Sequence, residues 1–150
     1  MSVPIAAPAA TPPGAVRAEL HNVRLSVAED LLRNPSILPP GVSARSCTWL
    51  IRLALERAMD EFWAGHAPPI RTASRRAQLL VFNRTINADL GQRYSQLWSE
   101  LSNAAHHHAY ELAPTAGELR TWHNAAHAVI TALEAIPARD PARSPRSGVS

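Results

Sequence analysis

Residues 97–112 read LWSELSNAAHHHAYEL and combine a helical apolar pattern with the densest polar chemistry in the chain. Over this stretch and the turns before it, a stripe recurs at steps of three and four: Leu90, Tyr94, Leu97, Leu101, Ala105, His108 and Leu112. That spacing predicts an amphipathic helix with one side against a core. At about 100° per residue, His108 falls over Leu101 on the buried side, whereas Asn103 and Tyr110 fall on the opposite side.

The segments on either side show the same helical period, and no stretch shows sustained strand alternation. Proline, glycine and asparagine separate them, which predicts further helices over residues 15–33, 44–64, 73–87 and 115–136. The predicted fold class is therefore all-α, an up-and-down bundle of four or five helices. The proline-rich residues 1–14 and the Arg/Pro/Ser residues 137–150 are predicted to be a disordered leader and tail around one domain of residues 15–136.

Local signals predict helix starts and buried faces. Ser43 is the expected N-cap of the second helix, and Thr115 with Glu118 forms the pattern of a capping box before the fifth. The first helix is expected to bury one stripe and to leave His21 exposed. That stripe consists of Leu20, Val23, Val27 and Leu31.

The composition limits the class of protein. A chain of 150 residues supports one domain of ordinary size, and its 15 basic residues are all arginine against 12 acidic ones. The resulting net charge of +3 is compatible with nucleic-acid contact without requiring it. Cys47 is the single cysteine, which excludes a disulfide framework and a cysteine metal site. No signal-peptide pattern and no apolar run of membrane-spanning length is present, so the expected location is the cytoplasm, away from membranes.

The polar face of the Leu97–Leu112 stretch resembles the HEPN family (higher eukaryotes and prokaryotes nucleotide-binding domains). The family motif is an Arg, often followed by Asn, then a His with four to six residues between the Arg and the His, and often a Tyr two beyond the His. Here Ser102 and Asn103 stand at the Arg-Asn position, and His108-Ala109-Tyr110 reproduces the ending. The resemblance covers roughly residues 45–136. It implies an all-helical homodimer that is a metal-independent endoribonuclease of toxin–antitoxin or phage-defence systems.

The resemblance also implies roles for the residues that match. His107 or His108 would act as the acid or base, Asn103 would orient the phosphate and Tyr110 would donate to it. The His-x-Tyr spacing favours His108, whereas the helical phase favours His107, which lies about 40° from Asn103. Family members without the motif Arg are often non-catalytic RNA-binding or dimerisation modules. The Ser102 departure therefore leaves RNA binding and RNA cleavage both open.

Arginines elsewhere are the candidates for contact with RNA phosphates. Arg71, Arg75, Arg76 and Arg84 make residues 71–84 the most basic part of the folded region. Arg93, or the cluster of Arg71 to Arg76, is also the hypothetical source of the cation that the motif lacks. A solvated polar helix face remains the simpler interpretation of these arginines.

Three further hypotheses follow from the same residues. The histidines of residues 106–108 can be structural, with one packed in the core and two in solvent. His123 and His127, four residues apart, have the spacing of two ligands of a metal ion, although no metal and no cofactor is predicted for the leading interpretation. The chain can also be a non-enzymatic helical interaction module, with a second copy, an antitoxin or another protein as its partner.

Overall fold

The computed structural model describes residues 13–39, 41–106 and 112–138, with side chains from Leu20 onward. These residues form five α-helices and no strand, which confirms the all-α class. The helices are α1 (Pro13–Arg33), α2 (Val42–His66), α3 (Arg75–Thr85), α4 (Ala88–His106) and α5 (Ala116–Glu134). Pro13 and Gly14, predicted to belong to a disordered leader, instead begin α1, and proline is well suited to a first helical turn. The rest of the predicted leader and the predicted tail from residue 139 lie outside the described residues.

Helix α2 is the centre of the bundle and packs against α1, α4 and α5. Its buried apolar side chains repeat at helical spacing along most of its length and form a wide face: Cys47, Ile51, Ala54, Leu55, Ala58, Met59, Phe62 and Trp63. The Tyr94 hydroxyl donates to the Leu55 carbonyl over 3.1 Å and attaches α4 to this centre. None of the described helices is long and apolar enough to cross a membrane.

The prediction for the buried face of α1 was wrong. Leu20, Val23 and Val27 are exposed, whereas Leu25 and Ala28 lie in the core. The physical reason is the position of α2 and α5, which meet the opposite side of α1. The Cys47 thiol lies 3.7 Å from the Ala28 carbonyl oxygen, so α2 covers the face that carries the smaller side chains.

His21, predicted to be exposed, is only 1% exposed. It lies on the same buried side of α1 as Leu25, and its polar atoms meet side chains of two other helices. An aliphatic stripe at helical spacing thus faces solvent while a histidine is buried. Polar partners from distant parts of the chain make that arrangement possible.

Helix α4 confirms the stripe at Leu90, Tyr94, Leu97 and Leu101, all of which are buried. The predicted continuation was wrong at Ala105, which is exposed, and at Leu112, which lies outside any helix with 98% of its surface exposed, whereas His108 lies outside the described residues. Pro114 disfavours helical backbone at the residue before it, which fits the absence of helix at residues 112–115.

Of the two helix starts predicted from capping residues, that of α5 is confirmed and that of α2 was wrong. The capping box is present before α5: the Thr115 hydroxyl accepts from the Glu118 N–H, and the Glu118 carboxylate accepts from the Thr115 N–H over 2.8 Å. Ser43 is not the N-cap of α2, because it is buried inside the helix. Gly41 precedes the helix with φ +81°, a conformation open to glycine, and this lets α2 begin earlier at Val42.

Candidate nucleic-acid interface

The residues matched to the HEPN motif are only partly within the described chain. His107, His108 and Tyr110 lie outside the described residues. Asn103 lies on the last turns of α4 with an exposed side chain. The Ser102 hydroxyl, at the position of the family's Arg, is buried and has no hydrogen-bond partner among the described residues.

A three-residue cluster joins α2 to the C-terminal half of α4. The Trp98 indole N–H and the Arg52 Nε both donate to the same Glu56 oxygen, each over 3.0 Å. The Arg52 guanidinium also lies 5.9 Å from the Trp98 ring centroid, in range of a cation–π contact. The cluster fixes the register of the two helices and neutralises Glu56 on the outer side of α2.

Arg75, predicted to contact RNA, instead holds the start of α3 on α2. Its guanidinium donates to the buried Gln78 side chain over 2.6 Å and to the Glu56 carbonyl over 3.3 Å, and it lies 3.1 Å from an Asp60 oxygen. Its side chain is only 15% exposed. With its donors engaged inside the protein, Arg75 is a structural residue in this arrangement.

Three other arginines around α3 present charge to solvent. Arg71 lies in the 3-10 turn Pro68–Thr72, and Arg76 and Arg84 lie on α3, all with exposed side chains. Arg76, Leu80 and Arg84 are spaced four residues apart and therefore share one side of the helix. Within the described residues none of the three arginines has a carboxylate partner. We call Arg71, Arg76 and Arg84 the basic face.

Arg93 differs from the basic face because it has an acidic partner. Its Nε lies 3.2 Å from an oxygen of Asp89 one turn earlier on α4. Ten residues separate Arg93 from Asn103, which is about 15 Å along a helix. Arg93 is thus both neutralised and remote from the motif on its own helix.

The strongest polar constellation that the sequence did not reveal surrounds His21. Its Nδ1 lies 3.1 Å from Glu61 of α2, and its Nε2 lies 2.6 Å from Glu134 of α5. Arg57 also donates to Glu61, over 2.8 Å. No local pattern could have indicated this site, because His21, Glu61 and Glu134 come from three different helices.

A cleft of about 500 Å³ opens beside this cluster, with His66 on its wall. The cleft offers a ligand few free polar groups. The His66 ring stacks on Phe62 and its two nitrogens lie 2.8 Å and 2.9 Å from the Phe62 and Pro137 carbonyl oxygens. Both ring nitrogens of His21 are likewise engaged by carboxylates. The polar atoms here hold the ends of α2 and α5 together.

The histidine pair of α5 lies beside α1. His123 and His127 both line a shallow cleft with Glu29, but the His123 Nε2 lies 2.9 Å from the Leu25 carbonyl oxygen and is engaged there. Hydrogen bonds from Arg33 and then Arg120, together with the charges of Arg120 and His123, hold the pKa of Glu29 below its ordinary value. Across the residues described, no three His, Cys, Asp or Glu are grouped so as to hold a metal ion.

Two titratable groups of the core are made inert by burial. Burial raises the pKa of the Cys47 thiol to about 11 and that of the Tyr94 phenol well above its usual range. Both groups therefore stay protonated at neutral pH, as expected for packing residues. Cys47 is a buried free thiol that packs in the core as a small hydrophobic residue.

Trp49 is the residue whose importance the sequence pattern could have suggested. It lies off the apolar face of α2 and is 56% exposed, whereas Trp63 is buried and Trp98 and Trp122 are half-buried. Arg45, one turn earlier on α2, is exposed and has no ion pair within the described residues. A tryptophan outside the helical spacing of Cys47, Ile51 and Ala54, one turn after Arg45, was the available signal.

Comparison of the chain with protein-family models, with curated proteins and with solved structures finds no match.

Proposed function

We propose that this protein is a cytoplasmic helical module that binds RNA through the basic face. The observation that carries the proposal is the contrast among the arginines. Arg52, Arg75 and Arg93 are paired with carboxylates, whereas Arg71, Arg76 and Arg84 are exposed without such a partner in the described part of the chain. Unpaired, exposed guanidinium groups on one side of a helix are suited to phosphate oxygens, which they can contact through two donors.

The chemistry of the basic face favours a flexible polyanion over a small anion. Arg76 and Arg84 lie eight residues apart, which is about 12 Å along the helix. A single phosphate would have to lie between them over Leu80, whereas the successive phosphates of an RNA strand can each meet one arginine. Leu80, exposed between them, offers an apolar contact of the kind that sugars and bases make.

The test is binding of a fluorescently labelled single-stranded RNA to the full chain at several salt concentrations. The variant with Arg76→Gln and Arg84→Gln is compared with a control carrying Arg33→Gln and Arg93→Gln, which removes the same charge from exposed arginines that already have carboxylate partners. We expect about tenfold weaker binding and a smaller salt dependence for the first variant, and binding near wild type for the control. Equal losses in both variants, or no binding by the wild type, would contradict the proposal.

RNA cleavage is a separate part of the proposal and rests on the HEPN resemblance alone. In that case His107 or His108 would exchange the protons, with Asn103 and Tyr110 on the phosphate, in a toxin–antitoxin or phage-defence setting. The test is cleavage of an RNA pool in the presence of EDTA, with the double variant His107→Ala and His108→Ala as the comparison. Loss of metal-independent cleavage in the variant would support an endoribonuclease, and absence of cleavage by the wild type would leave a binding module.

A second candidate function is self-association through α1. Leu20, Val23 and Val27 form an exposed aliphatic row at helical spacing, and such a row is characteristic of a helix that meets another protein surface. We propose a second copy of this chain as the occupant, since a row on a single helix can pair with itself about a two-fold axis. Sedimentation velocity should show a dimer for the wild type and a monomer for the variant with Val23→Lys and Val27→Lys. Ser26→Lys, at an exposed polar position of the same helix, is the control, and a monomeric wild type would exclude this function.

A further inference from the structure

The outer side of α2 carries an exposed aromatic side chain among arginines. Trp49 lies one turn after Arg45 and three residues before Arg52. Cys47, which faces α1, lies about 160° away around the helix from Trp49. Trp49 therefore points to the side of α2 that α1 does not cover.

The same side of α2 leads to the basic face. Glu56 and Asp60 lie seven and eleven residues after Trp49, and each falls within about 20° of it around the helix. Arg75 is bound at this position, to the Glu56 carbonyl and to the Asp60 carboxylate. The start of α3 and the side chain of Trp49 are thus placed on one side of the molecule, about 16 Å apart along α2.

The charges along this side favour an anion. The two acidic residues of the row are already matched, Glu56 by Arg52 and Asp60 by Arg75. Arg45 beside Trp49 and the basic face beyond Arg75 have no acidic partner in the described part of the chain. The exposed Trp49 indole therefore lies near positive charge and is suited to an anionic ligand, unlike the aliphatic row of α1.

We infer that Trp49 and Arg45 form a site for an unpaired RNA base and its phosphate, at one end of a track that continues to the basic face. The Trp49 ring would stack on the base, and the Arg45 guanidinium would contact the adjoining phosphate. Stacking of bases on aromatic side chains, with arginines along the backbone, is the general mode by which proteins bind single-stranded nucleic acids. This inference rests on the proposed function, and it adds single-stranded RNA as the ligand class.

Two substitutions separate stacking from simple apolar contact. Trp49→Phe keeps an aromatic face, whereas Trp49→Leu keeps apolar surface and removes the ring. With a labelled oligouridine strand we expect about tenfold weaker binding for Trp49→Leu and binding within a few-fold of wild type for Trp49→Phe. A duplex RNA of the same length should show no such difference between the variants, because its bases are already paired.

Tryptophan fluorescence gives a second readout. Trp49 is the most exposed of the four tryptophans, so bound RNA should quench part of the wild-type emission and quench the Trp49→Phe protein less. Arg45→Gln should weaken binding, with Arg33→Gln as the charge-matched control on another helix.

The possible failures are distinguishable. If Trp49→Leu binds RNA as the wild type does while the basic-face variant is impaired, this inference is wrong and the proposed function stands. If Trp49→Leu changes only the oligomeric state, Trp49 belongs to a protein interface and the inference is also wrong. If the wild type binds no RNA, both the function and the inference are lost.

Discussion

His21 Nε2 lies 2.6 Å from a Glu134 carboxylate oxygen, which joins the first helix of the bundle to the last turn of the fifth. The other ring nitrogen meets Glu61 of the central helix. Ionised carboxylates only accept hydrogen bonds, so both contacts are hydrogen bonds only when both ring nitrogens carry a proton. Three helices thus share one buried polar connection.

Replacing His21 should destabilise the fold strongly. For His21→Leu we expect the free energy of unfolding to fall by about 3 kcal/mol, because a buried hydrogen-bonding group is removed and its carboxylate partners lose their contact. Glu134→Gln should cost much less, since the Glu134 side chain is 46% exposed and water can replace its contact. Urea unfolding followed by circular dichroism measures both. A His21→Leu protein as stable as the wild type would mean that the cluster contributes nothing to stability.

Arg75 and Arg76 are adjacent in sequence and should behave differently. Arg75→Ala removes contacts to Gln78, Asp60 and the Glu56 carbonyl, so we expect a loss of about 2 kcal/mol in unfolding free energy. Arg76→Ala should change stability by less than about 0.5 kcal/mol, as is typical of an exposed position without partners. Chemical unfolding of the two variants makes the comparison. A larger loss for Arg76→Ala would contradict the separation between structural and basic-face arginines.

The buried thiol of Cys47 should be unreactive while the protein is folded. A thiol reagent at pH 8 is expected to modify the chain only after unfolding in urea, because the pKa of Cys47 is raised to about 11 and reaction requires the thiolate. Rapid labelling of the native protein would show that this part of the core opens readily.

Because the pKa of Cys47 is raised in the folded protein, the stability of the protein should decrease with pH in the alkaline range. The contribution of the protonated thiol to the free energy of unfolding is fully present below pH 9.0, the pKa of this thiol in the unfolded chain. It is lost as the pH rises toward about 11, because only the unfolded chain ionises in that interval. The wild type should therefore lose stability relative to Cys47→Ala by up to about 1.4 kcal/mol per pH unit. Thermal unfolding of both proteins between pH 8 and pH 11 tests this, and parallel curves would count against it.

The capping box of α5 should respond to acid. The backbone N–H of Thr115 and then its hydroxyl donate to Glu118 and hold the pKa of that carboxyl below its ordinary value. Because this pKa is lowered in the folded protein, the ionised Glu118 carboxylate stabilises the fold at neutral pH. That stabilisation is lost as the pH falls through the pKa of Glu118 in the folded protein. Melting temperatures at pH 7 and pH 3 should show a deficit for Glu118→Ala at pH 7 that shrinks at pH 3. An equal deficit at both values would contradict the charged cap.

The sequence identified the helices well where the determining interactions are local. The spacing of Thr115 and Glu118 predicted the start of α5, and the stripe of α4 was correct from Leu90 to Leu101. These features depend on residues within one or two turns of each other, which a single helical segment displays. The end of α4 could not be placed in this way.

The buried face of α1 shows why pattern alone was insufficient. The helix has an aliphatic row at Leu20, Val23 and Val27 and a second row that contains His21, Leu25 and Ala28. Hydrophobicity favours the first row, but burial of the second supplies hydrogen bonds for His21 and lets α2 approach the small Ala28 closely. The carboxylates responsible are 40 and 113 residues away in sequence.

The candidate interface likewise has features that the sequence determined and features that only the tertiary structure decided. Its basic composition, with Arg71, Arg75 and Arg76 close together, was determined by the sequence alone, as were the helical class and the capping of α5. Only the tertiary structure decided that Arg75 is bound internally by Asp60, that Arg76 has no carboxylate partner among the described residues and that Trp49 is exposed on α2. The physical reason is that an arginine is neutralised only by a carboxylate within about 4 Å, and for Arg75 that carboxylate, Asp60, belongs to another helix.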